Sequence, residues 1–341
     1  MNSWVIGLNG IFNGKKILVT GGTGSIGSCI VRRLLKFDVN KVVVFSRDEI
    51  KQFIMKKMIN DERLKFTIGD VRDYGSLERV FEANSFDIVY HAAAMKHVVV
   101  CEENPLEAVR TNVIGTQNVV DLARRYKVPK LINISTDKAV KPCNVMGATK
   151  LIGERIVLNG NYTSVRFGNV ACSRGSVIPV LLEEMIQKKQ LTITNPNVTR
   201  FIMRISDAVD LVLKATKYAE GGEIFILKMK AFKLSDLVDV LLSHVAPRLN
   251  LADKVKLNII GLVHGEKLHE DLIGELEVSH LYDLGDFYVI KPKAQAVQRE
   301  YLKLSSDAVE LISRNELIEI VDECINNYLF SKLYKNMIKQ S

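Results

Sequence analysis

The stretch STDKAVKPCNVMGATK, residues 135–150, combines residue types that can move protons. It contains a serine and a threonine, then the adjacent pair Asp137–Lys138, and finally Lys150. Met146 lies four residues before Lys150, a spacing that puts both on one face of a helix. Because a thioether cannot carry a proton, the stretch predicts acid–base chemistry at the Asp–Lys pair rather than on the helix.

Apolar strands alternate with helices around this stretch. We predict strands at KKILVTGG, KVVVFSR, LKFTIGD, FDIVYHAAA and KLINIST, and a helical segment follows each of them. Strands that alternate with helices form a parallel sheet covered on both faces, with right-handed crossovers. The pattern therefore predicts an α/β fold with a Rossmann-type, doubly wound parallel sheet.

The segment VTGGTGSIG lies between the first strand and the first helix. Its spaced glycines, Gly21, Gly24 and Gly27, permit positive φ and a close approach of the backbone to a pyrophosphate. The N–H groups at the start of the helix would then face the phosphates. In this strand–loop–helix context the motif predicts a dinucleotide site. Its other predicted members are Thr23, Ser25 and Ile26.

The residues at the end of the second strand indicate whether the dinucleotide is NAD or NADP. An acid about 20 residues after the last glycine would suit NAD, but 47 − 27 = 20 leads to Arg47, with Ser46 before it. A cation and a hydroxyl suit the 2′-phosphate of NADP, although Asp48 could still bind a ribose. Further predicted cofactor contacts follow the third and fourth strands and comprise Asp70, Val71, Ala92, Ala93 and Ala94. Asp70 could also cap the next helix.

The alternation of strands and helices becomes less regular after the sixth predicted strand, YTSVRFGNV, from about residue 174. We predict an NADP-binding Rossmann domain over 1–173, to which 200–224 return. A smaller α/β substrate domain is predicted over 174–199 and 225–330, followed by a tail over 331–341.

Composition narrows the class of protein. The 341 residues are 47% hydrophobic and 25% charged, as in ordinary globular proteins. The net charge of +8 comes from lysines interleaved with acids, without a compact basic block, so no nucleic-acid partner is predicted. The five cysteines are scattered, which predicts no disulfide scaffold, no metal site and a reducing cytoplasm. No apolar run approaches the ~20 residues of a membrane span.

The chain resembles the extended short-chain dehydrogenase/reductases. The segments that carry this resemblance are VTGGTGSIG, STDKAVKPCNVMGATK, HAAAMKHVVVCEENPLEAVRTNVIGTQNV, VRFGNVACSRGSVIP, VTRFIMRISDAV and GEKLHEDL. More narrowly, they resemble the C5-inverting UDP-N-acetylglucosamine 4,6-dehydratases of the polysaccharide-biosynthesis, CapD-like family. The resemblance covers nearly the whole chain and includes two blocks specific to this branch, STDKAV and RFGNV…SRGSVIP.

The resemblance implies a lyase reaction on UDP-N-acetylglucosamine. Tightly bound NADP would first accept a hydride as C4 is oxidised. Water would then be eliminated across C5–C6. The hydride would return to C6, which regenerates the cofactor, and C5 would be inverted. The product would be UDP-2-acetamido-2,6-dideoxy-β-L-arabino-hex-4-ulose, for rare amino-deoxy sugars of surface glycans. A homo-oligomer, dimer or hexamer, is implied, in a bacterial cytoplasm or a host cytoplasm if the protein is viral.

The resemblance also implies roles in the stretch 135–150. Asp137 would protonate the leaving hydroxyl, Lys138 would be the C5 base, and Lys150 would hold the nicotinamide ribose. Ser135 or Thr136 would bind the C4 oxygen.

Met146 replaces the tyrosine that most of the superfamily uses at C4, and it would form an apolar contact. The C4 proton would then go to Lys138, Asp137 or a water, of which Lys138 is favoured. Asn112 would hold the active-site helix in register.

The resemblance places substrate contacts in the later motifs. Arginine pairs with a diphosphate, and asparagine can bind uracil or phosphate oxygens. The predicted contacts are Lys96, Asn169, Arg174, Ser176, Val177, Arg200, Glu266 and Lys267. Relatives often carry an arginine where this chain has Val263, which leaves one phosphate contact in doubt.

Three other functions fit part of the pattern. A C5-retaining dehydratase or a UDP-sugar 4-epimerase would use the same cofactor, but an epimerase has no need of the Asp–Lys pair. A non-catalytic NADP-binding regulator would explain the missing tyrosine and leave Asp137, Lys138 and Lys150 without a purpose.

Overall fold

The computed structural model describes residues 8–295 and 302–339. The described chain divides into two compact units. Unit 1 takes the described residues within 1–167, 206–228 and 272–302, and unit 2 takes those within 168–205, 229–271 and 303–341.

Unit 1 is built on a parallel sheet with an antiparallel edge. Within the described ranges it has nine strands in the order β13-β14-β10-β6-β5-β4-β1-β2-β3. β14 pairs antiparallel with β10 and β13 with β14, whereas the other neighbours are parallel. The bounds are β1 Lys16–Thr20, β2 Lys41–Ser46, β3 Leu64–Ile68, β4 Ile88–His91, β5 Lys130–Ile134, β6 Thr163–Arg166, β10 Ile224–Leu227, β13 Leu281–Asp283 and β14 Phe287–Ile290.

Helices connect the parallel strands of unit 1. Their bounds are α1 Asn9–Phe12, α2 Ser25–Leu34, α3 Glu49–Met58, α4 Tyr74–Glu82, α5 Val98–Glu103, α6 Pro105–Val109, α7 Gly115–Arg125, α8 Val145–Asn159 and α10 Ile205–Tyr218. A π-helical turn, Arg110–Ile114, joins α6 to α7, and 3₁₀ turns occur at Asp137–Ala139 and Glu275–His280. The apolar faces of β1, β2, β4 and β5 pack against helix residues such as Leu77, Leu122 and Val157. The doubly wound α/β fold predicted from the sequence is confirmed.

Unit 2 has its own small sheets and apolar core. β11 pairs with β9 and β9 with β7, and β12 pairs with β8. The core joins Met185, Phe232, Leu237 and Val321. The bounds are β7 Asn169–Val170, α9 Val177–Lys188, β8 Gln190–Ile193, β9 Thr199–Met203, β11 Lys230–Lys233, α11 Leu234–Val240, α12 Ala246–Arg248, β12 Lys256–Ile259 and α13 Arg314–Lys339. A π-helical turn, Leu241–Val245, joins α11 to α12.

The units differ from the predicted domains at their boundaries. The strand YTSVRFGNV divides into β6 and β7, which belong to unit 1 and unit 2. The hairpin β13–β14 belongs to unit 1, although the sequence assigned it to the second domain, because β14 pairs with β10. Because this pairing joins distant parts of the chain, the local sequence pattern does not predict it.

Two predicted helices also differ. The long helix over NPLEAVRTNVIGTQNVVDLARRY is interrupted by the π-helical turn. The short helix expected in KLHEDLI does not form, and Asp271 makes a bridge to Ser305 instead. No described helix is both long and apolar enough to cross a bilayer.

A disulfide joins Cys172 to Cys324 within unit 2. The sequence predicted no disulfide scaffold, and it did not indicate this single pair. Their separation of 152 residues hides the pairing in the sequence. Cys324 is buried on α13, and the backbone of Cys172 is left-handed, with φ 59°. Cys143, by contrast, is a free and exposed thiol.

Replacing Cys324 by serine should lower the free energy of unfolding by about 2–4 kcal/mol, because the unfolded chain loses a long-range constraint. Denaturant unfolding with and without reductant measures this effect. Reductant should lower the midpoint of the wild-type protein and leave that of Cys324→Ser unchanged. Cys143→Ser is the matched control and should behave as wild type. An equal midpoint for Cys324→Ser and the oxidised wild type would contradict the prediction.

Candidate active site

The glycine loop after β1 brings two backbones into close contact. Gly21 has φ +65° and donates its N–H to the Phe45 carbonyl at 2.8 Å. A Cβ at Gly21 would lie 2.6 Å from the Ala93 nitrogen, and one at Gly27 would lie 2.8 Å from Gly22 Cα. Both distances are shorter than real Cβ contacts, so these positions require glycine. α2 follows, with Gly24 at its N-cap, and its first N–H groups suit an anion.

A cleft of about 310 Å³ opens beside this loop in unit 1. That volume is within the range of small-molecule sites. It is lined by Gly21, Thr23, Gly24, Phe45, Ser46, Arg47, Asp48, Lys51, Gly69, Asp70, Val71, Ala92, Ala93, Ala94 and Thr111. Most of the predicted cofactor residues thus meet at one cleft, while Ser25, Ile26 and Gly27 form the first turn of α2. The sequence missed Phe45, Lys51, Gly69 and Thr111.

Charged groups crowd the end of β2 at the cleft. Asp48 caps α3 by accepting the Lys51 N–H at 2.9 Å, and it pairs with the Lys51 ammonium. Arg47 is 62% exposed and lies 3.6 Å from the Asp70 carboxylate. Burial acts to raise the pKa of Asp70, but Arg72 and Arg47 outweigh burial and lower it. Asp70 is therefore ionised, and Asp73 rather than Asp70 caps α4. The carboxylate of Asp48 is already engaged, whereas Arg47 is accessible to an anion.

Thr111 is a functional candidate that the sequence did not indicate. It lies on the π-helical turn, lines the cleft and is 5% exposed. Its hydroxyl has no hydrogen-bond partner among the described residues. An unpaired buried hydroxyl costs about 1–3 kcal/mol, which a bound polar ligand could recover. In the sequence the segment resembles an uninterrupted helix, so the turn that presents Thr111 carries no signal.

The turn after β5 holds the Asp–Lys pair. Lys138 donates its Nζ–H to Asp137 Oδ1 at 3.0 Å, and the Thr136 hydroxyl donates to the same oxygen at 2.8 Å. Asp137 is fully buried, and its Oδ2 has no partner in the described part of the chain. The buried Ser135 hydroxyl lacks a partner as well. One carboxylate oxygen is thus fixed by the protein while the other can bind or protonate a further group.

Lys150 extends from α8 to the end of β5. Its Nζ donates to the Ile134 carbonyl at 2.5 Å. Burial lowers the pKa of Lys150 to about 8, and Glu154 opposes that shift. Nearby, His91 lies between the hydroxyls of Thr20 at 2.7 Å and Thr116 at 3.0 Å. Burial, together with the charge of Lys150, lowers the pKa of His91 to about 3, so the imidazole is neutral.

Asn112 links α8 to the loop after β4. Its Nδ2 donates to the Met95 carbonyl and to Thr149 Oγ1, both at 3.0 Å. The Met95 N–H donates in return to Asn112 Oδ1 at 2.8 Å. An amide that satisfies both backbone groups of one residue fixes the position of that residue.

Met146 is a packing residue within unit 1. It is 4% exposed and lies in an apolar cluster with Cys101 and Ala108. Met95 and Val98 pack against this cluster. The thioether therefore contributes apolar contacts to the start of α8, and its predicted contact with nicotinamide or sugar stays a prediction.

The predicted substrate residues fall in both units. Lys96 is on the loop before α5 of unit 1, and the others belong to unit 2. Asn169 starts β7 and Arg174 follows it on the loop to α9. Ser176 is at the N-cap of α9, its hydroxyl buried without a described partner, and Val177 is the first residue of that helix.

Arg200 is already engaged within unit 2. Its guanidinium donates to the carbonyls of Thr199, Lys267 and Leu268 and pairs with Glu266 at 2.9 Å. Lys267 lies 3.8 Å from Glu270. This geometry favours a structural role for Arg200, since a diphosphate would have to replace these bonds.

The chain resembles known proteins in sequence and in fold. Residues 17–292 match a family model described as polysaccharide biosynthesis protein. The chain is 42% identical to an inverting UDP-N-acetylglucosamine 4,6-dehydratase of Campylobacter jejuni, over 85% of this chain and 86% of that protein. It is also 42% identical to a UDP-glucose 4-epimerase of Rickettsia bellii, over 82% and 84%. The solved structure of Pen from Bacillus thuringiensis aligns with a TM-score of 0.86 at 38% identity, over 92% of this chain and 98% of that one.

Replacing Gly21 by alanine should weaken binding of a nicotinamide dinucleotide by about tenfold or more, since left-handed backbone strain costs roughly 1–3 kcal/mol. The added Cβ would also displace the Ala92–Ala93 backbone that lines the cleft. Calorimetric titration with NADP⁺ and with NAD⁺ measures the loss. Gly75→Ala is the control, because its Cβ would lie no closer than 3.7 Å to a neighbour. Unchanged affinity in Gly21→Ala would show that the cleft does not bind the dinucleotide.

Proposed function

The chain belongs to the polysaccharide biosynthesis protein family, and on that premise we propose that it is a UDP-N-acetylglucosamine 4,6-dehydratase that inverts C5. The observation that carries the proposal is the pair of a buried Asp137 and a partly buried Lys138, in the same unit as the dinucleotide cleft and Lys150. Elimination of water from a sugar needs an acid and a base together, and this pair supplies both.

The proposed cofactor is NADP, which supplies a hydride acceptor and donor when it is bound. The cleft fits a dinucleotide because its glycine loop has no room for side chains and because the buried Thr111 hydroxyl lacks a partner. Arg47 and Ser46 would hold the 2′-phosphate, and Lys150 the nicotinamide ribose. The engagement of Asp48 with Lys51 weakens the case for NAD.

Asp137 and Lys138 would act as one proton-transfer unit. The pair enters the elimination as a carboxylic acid and a neutral amine, a state reached by proton transfer along their 3.0 Å hydrogen bond. Lys138 takes the C5 proton, the C6–O bond breaks, and Asp137 protonates the departing oxygen. The pair leaves as an ion pair, and one water has left the sugar.

The C4 proton needs another route because Met146 cannot accept it. Lys138 is the proposed acceptor: as a neutral amine beside the Asp137 carboxylate it takes the C4 proton and passes it to Asp137 along their hydrogen bond. This transfer restores the neutral amine for the C5 proton and makes Asp137 the acid for the elimination. Ser135 or Thr136 would bind the C4 oxygen, with the Thr136 hydroxyl already engaged by Asp137.

A UDP-sugar 4-epimerase is the second candidate, favoured by the 42% identity to the Rickettsia bellii protein. Epimerisation at C4 needs no acid for a leaving hydroxyl, so a buried Asp–Lys pair would have no role in it. The C5-retaining dehydratase differs only in the final protonation at C5. A regulator that binds NADP without turnover would use neither Asp137 nor Lys138.

Purified protein incubated with UDP-N-acetylglucosamine in deuterated water should give a 4-keto-6-deoxy sugar with inverted C5, without added reductant. Proton and carbon NMR of the product would identify the 6-methyl group and the C5 configuration. UDP-N-acetylgalactosamine as product would establish the epimerase. An unchanged C5 would keep the dehydratase and remove the inversion.

Lys138→Ala serves as the mechanistic control in the same assay. It should abolish formation of the 6-deoxy product while NADP⁺ still binds. Lys141→Ala is the matched variant, since this exposed lysine pairs with Glu275 instead. Turnover that survives in Lys138→Ala would overturn the assignment of the base.

Arg47→Ala should weaken NADP⁺ binding by roughly tenfold and leave NAD⁺ binding unchanged, because a charge-assisted contact to phosphate contributes about 1.5–3 kcal/mol. Titration calorimetry with both cofactors measures the difference. Lys56→Ala, an exposed lysine on α3, controls for a change in net charge. Equal losses for both cofactors would exclude a 2′-phosphate contact at Arg47.

A further inference from the structure

Glu154 lies on α8 four residues after Lys150, and no step of the proposed reaction uses it. It is fully buried, and Arg166 on β6 holds both of its carboxylate oxygens. Arg166 Nε donates to Oε1 at 3.0 Å, and an Arg166 terminal nitrogen donates to Oε2 at 2.7 Å. Such a two-bond arrangement fixes the carboxylate in orientation as well as in position.

Arg166 has further partners that complete a buried charge cluster. It donates to both oxygens of Glu277, at 2.9 and 3.0 Å, and to the Leu272 carbonyl at 2.9 Å. Burial acts to raise the pKa of Glu277, but Arg166 outweighs burial and lowers it, so this carboxylate is ionised. Arg155 adds a second positive charge that acts on Glu277. Glu277 thus has two cations of its own, whereas Glu154 lies one helical turn from Lys150 on α8.

Lys150 is the cation on the same face of α8, because residues four apart are neighbours on a helix. Burial lowers the pKa of Lys150, and the carboxylate of Glu154 opposes that shift and favours the charged form.

Several other ionisable groups on the elements packed against α8 have partners of their own or are neutral. Asp137 is paired with Lys138, Arg110 with Glu107, and His91 is neutral. Glu102 on α5 accepts the Val145 N–H at 2.6 Å, and Asp121 on α7 accepts from Gln117. Glu154 is thus the carboxylate that acts on Lys150.

We propose that Glu154 is a positioning residue that keeps Lys150 charged, and that Arg166 and Glu277 hold Glu154 in place for this purpose. The consequence for turnover rests on the proposed function, in which a charged Lys150 binds the nicotinamide ribose. The consequence for the Lys150 amine itself does not depend on any activity.

The test compares Glu154→Gln with Glu277→Gln. Each variant replaces one carboxylate of the cluster by an amide of the same shape, and each removes one charge bound to Arg166. Glu154 alone lies one turn from Lys150. Loss of packing or of charge on Arg166 would affect both variants, whereas loss of support for Lys150 would affect only the first.

The readout is competitive acetylation of the Lys150 amine from acidic to alkaline pH, quantified by peptide mass spectrometry. The wild-type midpoint should lie at about pH 8. Removing a negative charge disfavours the ammonium, so the midpoint of Glu154→Gln should move to lower pH. Because only the neutral amine reacts, this variant should be labelled severalfold faster at neutral pH. Glu277→Gln should be labelled as wild type.

An unchanged midpoint in Glu154→Gln, or an equal shift in Glu277→Gln, would overturn the proposal. If Glu154→Gln does not fold, Glu154→Gln/Arg166→Gln/Glu277→Gln removes all three charges of the cluster, which buried ion pairs tolerate better than the loss of one partner. Its midpoint should also fall, and an unchanged midpoint counts against the proposal.

Turnover separates this inference from the proposed function. The proposed function and the role of Glu154 are both supported if the wild type is a dehydratase and Glu154→Gln loses kcat at neutral pH. That loss of kcat should grow as the pH rises. Absence of a 6-deoxy product in the wild type would defeat the proposed function and leave the labelling result standing. A normal dehydratase with an unshifted Lys150 would defeat only the role of Glu154.

Discussion

A buried guanidinium is the constraint on which the site in unit 1 depends. Arg166 has no access to water, so its donors must be satisfied by protein groups. Glu154, Glu277 and the Leu272 carbonyl satisfy them, and they come from α8 and from the segment that returns to unit 1. Removing one member of such a cluster costs about 3–5 kcal/mol. The cluster therefore fixes α8 relative to β6, and α8 carries Lys150 to the end of β5.

Close backbone approaches then shape the site. Gly147 lies directly after Met146, and a Cβ there would collide with the Lys138 carbonyl and lie 3.1 Å from Pro142 Cβ. Glycine at this position allows the start of α8 to pack onto the turn of the Asp–Lys pair. Gly153, further along α8, has a Cβ position 3.1 Å from the Asn112 carbonyl. The same helix thus approaches two neighbours because it lacks side chains at the contacts.

The acid–base groups are concentrated at the strand end and not on the helix. Met146 gives α8 an apolar anchor among Cys101 and Ala108, and Lys150 gives it a cation. The proton donors and acceptors lie after β5, where Asp137 has one oxygen held by Lys138 and Thr136 and the other without a described partner. A carboxylate with one committed oxygen keeps its orientation while the other oxygen stays available for chemistry. Met146 itself cannot move a proton, and the groups that can do so lie at the strand end.

The sequence by itself determined the features that are encoded locally. Alternating strands and helices predicted the parallel sheet, the glycine spacing predicted the loop after β1, and adjacency along the chain guaranteed that Asp137 and Lys138 would meet. Contacts between distant segments were decided only by the tertiary structure: the β13–β14 return, the disulfide and the Arg166 cluster. The π-helical turn that presents Thr111 belongs with these. Each of these features depends on which surfaces come into contact after folding. Periodicity and turn residues within a short stretch of sequence do not predict such long-range contacts.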